Sequence, residues 1–250
     1  MKAEKKTEIN GSTLKLIALC TMFIDHIGAA LLENGLLPQI AGSVLAGKSF
    51  DYLPTDYYTW FHIDTVLRLI GRLAFPLYCF LLVEGFLHTR NVAKYTLRLG
   101  IFALISEIPF DLAFYHSIFN LKSQNVFFTL LIGLVVLWCM RYFEQLPPHL
   151  APFRYLVAMT GIMVAEFLQT DYAGFGVMLI VLLYILHQNR KLQCIFGALF
   201  MFLQSYTAPL AFLLVYFYNG ERGKQLPKYF FYLFYPVHLL LLILLRTFLL

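Results

Sequence analysis

Charge is what this chain has least of. Only 13% of its 250 residues are Asp, Glu, Lys or Arg, about half the share of an ordinary soluble domain, while 60% are hydrophobic and the mean hydropathy is +0.71. That balance excludes a water-soluble globule and makes lipid the solvent for most of the molecule. Polar linkers and shifts of composition are also missing, so residues 1–250 are read as one domain. Cysteine is sparse. Cys20, Cys79, Cys139 and Cys194 all fall in apolar runs and form no CxxC pair. Disulfide frameworks and spaced metal ligands are therefore not expected, and the four read as small buried hydrophobes. The opening "MKAEKKTEIN" is basic, as a signal peptide would be. However, the apolar run after it contains Asp25 and His26 and lacks a small-x-small cleavage site, so it is read as a retained first helix.

What is present is a series of apolar runs. About 17 to 25 residues are needed to cross roughly 30 Å of hydrocarbon. Nine candidates stand at 14–33, 64–88, 95–116, 125–143, 153–169, 173–187, 192–205, 207–219 and 229–249. The sixth to eighth are short enough to be tilted, broken or re-entrant. The expected fold is an all-α, polytopic integral membrane helix bundle of about nine spans. Its basic residues suggest an orientation. With the N-terminus cytoplasmic, the inside segments collect thirteen of them, including Lys2, Lys5, Lys6, Arg90, Lys94, Arg98, Arg222 and Lys228, against Lys48 and Lys122 outside. This follows the positive-inside rule and predicts a multi-pass protein of the plasma or inner membrane with its C-terminus outside. The net charge of +5 is then topology, and no nucleic-acid partner is implied. Between the first two runs, Tyr52, Tyr57, Tyr58 and Trp60 suit the headgroup zone. The segment reads as an interfacial connector or as a lid over an outward site.

Ionisable groups inside hydrocarbon are costly unless paired or watered, which makes each a candidate for function. His26 lies roughly 18 Å from the inner end of the first run, and Asp25 precedes it. Arg68 and Arg72 share a face on the second run, as do Glu107 and Asp111 on the third. Counted from the outer ends, Arg68 matches Asp111 in depth and Arg72 matches Glu107, so those pairs are expected. They are either a structural ion-pair ladder or part of a site. Asp171 caps the fifth run on the same side. An inner set comprises Lys15, Glu84, His88 and His238, with Pro236 able to kink the last helix and free a carbonyl. Together the two sets predict a polar passage from the cytoplasmic face to an outer pocket.

The stretches "KLIALCTMFIDHIG", "RLIGRLAFPLYCFLLVEGFLHTRN", "ALISEIPFDLAF", "NVFFTLLIGL", "QTDYAGFGVMLIVLLY", "YNGERG" and "FYPVHLLLL" resemble, in order, the blocks of the TraX family, named for the F-pilin acetylation protein. The resemblance spans nearly the whole chain. It implies transfer of an acetyl group from acetyl-CoA to a pilin N-terminal amine. More loosely, the chain is similar to the transmembrane acyltransferases, including the acyltransferase-3 family. Their first helix carries a basic residue, ten intervening residues and a histidine. Lys15 and His26 have that spacing, with Lys where Arg is usual, and Glu84 stands where the Ser of a Ser-Gly-Phe block would fall. Lys94 and Arg98 sit where that family has basic residues near the acyl donor.

The expected activity is that of a membrane-embedded acyltransferase acting on an extracytoplasmic protein or glycan. His26 is the expected general base, or else the site of a covalent acetyl-histidine. Asp25 or Glu107 would fix its tautomer, and Arg72 would hold that carboxylate or the developing oxyanion. Arg68, Asp111, Glu84 and His238 are expected to contact substrate. Lys15, Arg90, Lys94 and Arg98 are expected to hold the phosphates of acetyl-CoA. No metal is expected. The alternative is a proton-coupled transporter or exporter, since intramembrane acid and histidine chains also relay protons. The absence of an inverted repeat between the halves speaks against it.

Overall fold

Helix α1 (Gly11–Ile27) starts where Asn10 accepts a hydrogen bond from the Thr13 amide at 3.0 Å, which satisfies one of the helix's free donors. Leu14, Ala18, Leu19 and Met22 then repeat at helical spacing and are buried. The computed structural model describes residues 9–46, 55–224, 227 and 229–249. Lys2, Lys5, Lys6, Lys48, Tyr52 and Lys228 of the topology reading lie outside them.

At Gly28 the helix changes winding. A π-helical stretch runs from Gly28 to Leu36 and continues into α2 (Leu37–Ala46). π-Turns are rare and concentrate at functional sites. Two glycines set the approach of α1 to α3 (Thr55–Gly71). A Cβ on Gly28 would lie 2.7 Å from the Asp64 carboxylate, and one on Gly71 would lie 2.1 Å from that of Asp25. The helix of α3 breaks at Arg72–Leu73 and resumes as α4 (Ala74–His88), whose Pro76 sits in the first turn, where the missing N–H costs nothing. The aromatic stretch from Tyr57 to Trp60, expected to be a connector, is helical and belongs to α3.

The remaining rods are α5 (Val92–Phe114), α6 (Val126–Glu144), α7 (Phe153–Phe167), α8 (Ala173–Ile185), α9 (Arg190–Phe202), α10 (Leu210–Tyr216) and α11 (Phe230–Leu249). Asn91, Asn125 and Asn189 cap α5, α6 and α9 with their side chains. The core is built from α4, α6 and α8. Helix α6 packs on α5, α7 and α8, where Gly133 faces Ile180, and α11 packs on α5 and the π-helical stretch.

All nine predicted runs are helical. Among the described residues four stretches are long and apolar enough to cross a membrane: Gly11–Gly42, Thr55–His88, Val126–Glu144 and Phe230–Leu249. Helix α5 is long but carries Lys94, Arg98, Glu107 and Asp111. At 1.5 Å per residue, α7 reaches about 22 Å, α9 about 20 Å and α10 about 10 Å, short of a full crossing.

Candidate functional site

Helices α1 and α11 pack side by side and bring His26 onto His238. The two imidazoles stack at 4.9 Å with 5° between their planes, and His26 Nδ1 lies 2.6 Å from His238 Nε2. His238 Nδ1 is in turn 2.7 Å from the Phe234 carbonyl, which can only accept. The chain of donors then runs one way. His238 Nδ1 carries hydrogen, its Nε2 accepts from His26 Nδ1–H, and His26 keeps an unprotonated Nε2 with no partner among the described residues. His238 is buried and His26 half-buried. Phe114 and Tyr235 stand edge-on to the His26 ring at 5.5 and 5.6 Å. Pro236 follows Tyr235 in α11, and its missing N–H leaves the Tyr232 carbonyl without its usual helical donor.

Asp25 precedes His26 and therefore points about 100° away. It turns to α3, where Arg68 Nη1 bonds its Oδ2, and Arg68 Nε lies 3.3 Å from Glu33 of the π-helical stretch. Asp25 Oδ1 is buried without a partner. Asp64 Oδ1 is in the same state, on a residue only 4% exposed. Arg72, in the break between α3 and α4, lies beside Tyr172, Asp171 and Asp25. Burial, reinforced by the Asp25 carboxylate and opposed by Arg72, pushes the Asp171 carboxyl up to about 6.

The pairs expected from equal depth do not form. Helix α3 packs mainly on α1, whereas α5 packs mainly on α11 and α6, so Arg68 and Asp111 are not neighbours across an interface. Glu107 accepts instead from the Asn125 backbone amide at 3.3 Å and from its side-chain amide. Asp111 accepts from the Asn120 amide at 2.7 Å. Glu84 pairs with Arg190 of α9 at 3.5 Å and does not face the dyad's cavity.

That cavity has a volume of about 520 Å³. At one end it is lined by Lys15, Arg98 and Arg222, and at the other by Met22, Tyr78, Phe127 and Tyr235. Tyr235 is the ring that touches His26, so the cavity ends one side chain short of the imidazole. The cations are placed by helix ends. Lys15 is in the first turns of α1, and Arg98 is in the second turn of α5. Arg222 lies in a loop whose carbonyls accept from the Gly11 and Ser12 amides at 2.7 and 3.0 Å. Of the four basic residues expected at the donor, Lys15 and Arg98 line the cavity. Arg90 and Lys94 are exposed and do not.

Four residues of this constellation were not picked as site residues from the sequence. Asp64 was legible, because it lies four residues before Arg68 and shares its helix face. Arg222 sits in the "YNGERG" block. Glu33 and Tyr235 carry no signal of their own. An unprotonated imidazole nitrogen one ring away from a cavity with a cationic entrance can take a proton from a nucleophile. The aromatic and aliphatic walls suit an extended chain with an anionic head.

The sequence model of a family described as "TraX protein" matches residues 10–246. The chain is also similar to a protein of Dichelobacter nodosus named "Probable fimbrial assembly protein FimC, serogroup H1", with 27% identity over 259 residues covering 95% of this chain and 96% of the relative. No solved structure matches.

Proposed function

The chain belongs to the TraX family, and from that premise we propose that it is a membrane-embedded acyltransferase moving an acetyl group from cytoplasmic acetyl-CoA to an amine or hydroxyl of an extracytoplasmic acceptor. The observation that carries the reading is the path from three cations, Lys15, Arg98 and Arg222, to Tyr235 against the His26–His238 pair. The cations suit the phosphates of the donor, and the apolar walls suit its arm. This orientation puts the Lys15 end of the bundle in the cytoplasm and the C-terminus outside, in the cell membrane, as the basic residues favour. The name of the Dichelobacter relative supports a surface-fibre subunit among the acceptors.

In the reaction the acceptor N–H or O–H gives its proton to His26 Nε2 as its heteroatom attacks the thioester carbonyl. The C–S bond then breaks and the departing thiolate takes that proton back. His238 holds the His26 ring in the tautomer that leaves Nε2 free, and it remains an acceptor for Nδ1–H when His26 becomes cationic. Asp25, tied to Arg68, is a neighbouring negative charge and not the direct partner of the base.

The test is incubation of the purified protein with labelled acetyl-CoA and candidate pilin or glycan acceptors, followed by mass spectrometry. A labelled acceptor formed at the expense of the thioester is expected. Absence of donor binding, with pH-driven solute flux in proteoliposomes, would replace this reading with a transporter.

A further inference from the structure

Among the described residues, Tyr235 is the one ring that both lines the cavity and meets the imidazole pair. It stands three residues before His238 on α11 and so shares its helix face. Its centroid is 5.6 Å from that of His26 and 5.7 Å from that of His238, edge-on to both. Phe127 of α6 closes on it from a further side at 5.0 Å, again edge-on. The residue is only 2% exposed. Its hydroxyl nevertheless has no hydrogen-bond partner among the described residues, and it is not one of their sealed, unpaired atoms. The surface it keeps is therefore in the cavity that the ring lines. A buried phenol normally finds a partner. This one is left open to whatever fills the cavity.

We infer that the Tyr235 hydroxyl is the hydrogen-bond donor to the thioester carbonyl and to the oxyanion that forms from it. The inference rests on the acyl-transfer reading and adds the residue that meets the charge developing beside the base. Acyl transfer needs such a donor, because attack on the carbonyl carbon leaves a negative charge on its oxygen. The other candidates are placed elsewhere. Lys15, Arg98 and Arg222 line the opposite end of the cavity. Arg72, the cation expected at the oxyanion, lies beside Tyr172, Asp171 and Asp25 and does not line the cavity. At the dyad's end, Met22 and Phe127 have no side-chain hydrogen to give, and Tyr78 of α4 makes no ring contact with either imidazole among the described residues. A phenol is a neutral donor, so it serves an oxyanion without bringing a charge of its own into lipid. The rings of His26, His238 and Phe127 hold the phenol in place before the acyl donor arrives, which keeps reorganisation small when charge appears. In the step itself, the acceptor N–H or O–H loses its proton to His26 Nε2 and its heteroatom bonds the carbonyl carbon. The carbonyl oxygen becomes an oxyanion held by the Tyr235 O–H, which keeps its own proton. The C=O bond then re-forms, the C–S bond breaks, and the thiolate takes the proton from His26.

The test compares the purified full chain with Tyr235→Phe, which removes the hydroxyl and leaves the ring contacts. Two quantities are read. One is kcat against the KM for acetyl-CoA, and the other is the infrared carbonyl band of bound acetyl-CoA carrying carbon-13 in its acetyl group. In Tyr235→Phe, kcat is expected to fall about 10²–10³-fold with the KM for the thioester little changed. The band is expected to move to higher frequency as the carbonyl loses its hydrogen bond. Replacing Tyr235 by 3-fluorotyrosine keeps the shape and makes the hydroxyl a stronger donor, so the band should move the opposite way. That variant also serves if Tyr235→Phe does not fold. An unchanged kcat and band in Tyr235→Phe, a band indifferent to the fluorine, or a loss of kcat confined to Tyr78→Phe overturns the inference. Calorimetry of acetyl-CoA binding separates the two levels. If the unaltered protein binds and consumes acetyl-CoA while changes at Tyr235 do nothing, only this assignment falls. If it binds none, the acyl-transfer reading falls with it.

Discussion

From α6 to α10, polar groups end on partners. Gln193 donates to the Leu183 carbonyl at 2.7 Å, Thr129 bonds Thr170 at 3.0 Å, and Glu144 is shared by Tyr184 and Arg154. Arg141 lies over the Phe86 ring at 3.7 Å, and Arg190 lies over Phe80 at 4.6 Å while pairing with Glu84. Helices α1, α3 and α5 are different. Among the described residues, every buried side-chain nitrogen or oxygen without a hydrogen-bond partner belongs to them, on Asp25, Asp64, Arg68, Thr96, Arg98, Ser106, Glu107 and Asp111. An unused buried polar atom costs about 1–3 kcal/mol. A fold that confines such costs to α1, which carries His26, to α5, which lines the cavity, and to α3, which holds Asp25 through Arg68, has one part that holds shape and another that is kept ready for a ligand, a proton or water. The contrast teaches where to look for chemistry and where for stability.

The sharpest way to break that division is His26→Gln, which keeps a polar side chain but removes the base. Acetyl transfer should fall by about 10²–10⁴-fold while thermal unfolding is nearly unchanged; a large loss of stability with activity per folded molecule intact would reverse the roles. Gly133→Val tests the opposite side, since a Cβ there lies 2.4 Å from Ile180 Cδ1. It should cost about 1–3 kcal/mol by chemical unfolding and leave transfer per folded molecule unchanged. Lys15→Gln should weaken donor binding about tenfold at low salt, and titration with salt should shrink the difference, as expected for a charge at a cavity entrance. The smallest effect is at Asp171. Its carboxyl sits at about 6 in the fold against an ordinary 3.8, so the folded chain holds that proton more tightly than the unfolded one. Stability therefore falls as pH rises between those values. Asp171→Asn should gain about 1 kcal/mol at pH 8, a figure reduced for its partial exposure, and the gain should vanish below pH 4 in melts across pH.

The helical runs are legible because apolar runs long enough to be helices have few other ways to satisfy their backbone in lipid. Two features of the fold were not. Tyr57 to Trp60 read as connector because interfacial aromatics look alike in a loop and in a helix end. The change of winding at Gly28 has no residue pattern of its own, because local preference scarcely separates π from α turns. In the site, His26, His238 and Lys15 stand out as ionisable groups in otherwise apolar helices. Their pairing was not legible. Depth along a helix can be counted from the sequence, but which helices touch cannot, and this is why Arg68 meets Asp25 and Glu33 instead of Asp111. Arg222 illustrates the same limit: its place beside Lys15 depends on a loop that folds back some two hundred residues along the chain.

The wide-wound stretch from Gly28 to Leu36 also behaves as a store of slack. An α-helix advances about 100° per residue, so excising one residue here would let the coil tighten toward ordinary pitch without opening a gap. Everything beyond Leu36 would then swivel relative to His26. The loss of length would be taken up as rotation, re-aiming Gln39 while the imidazole stays in place.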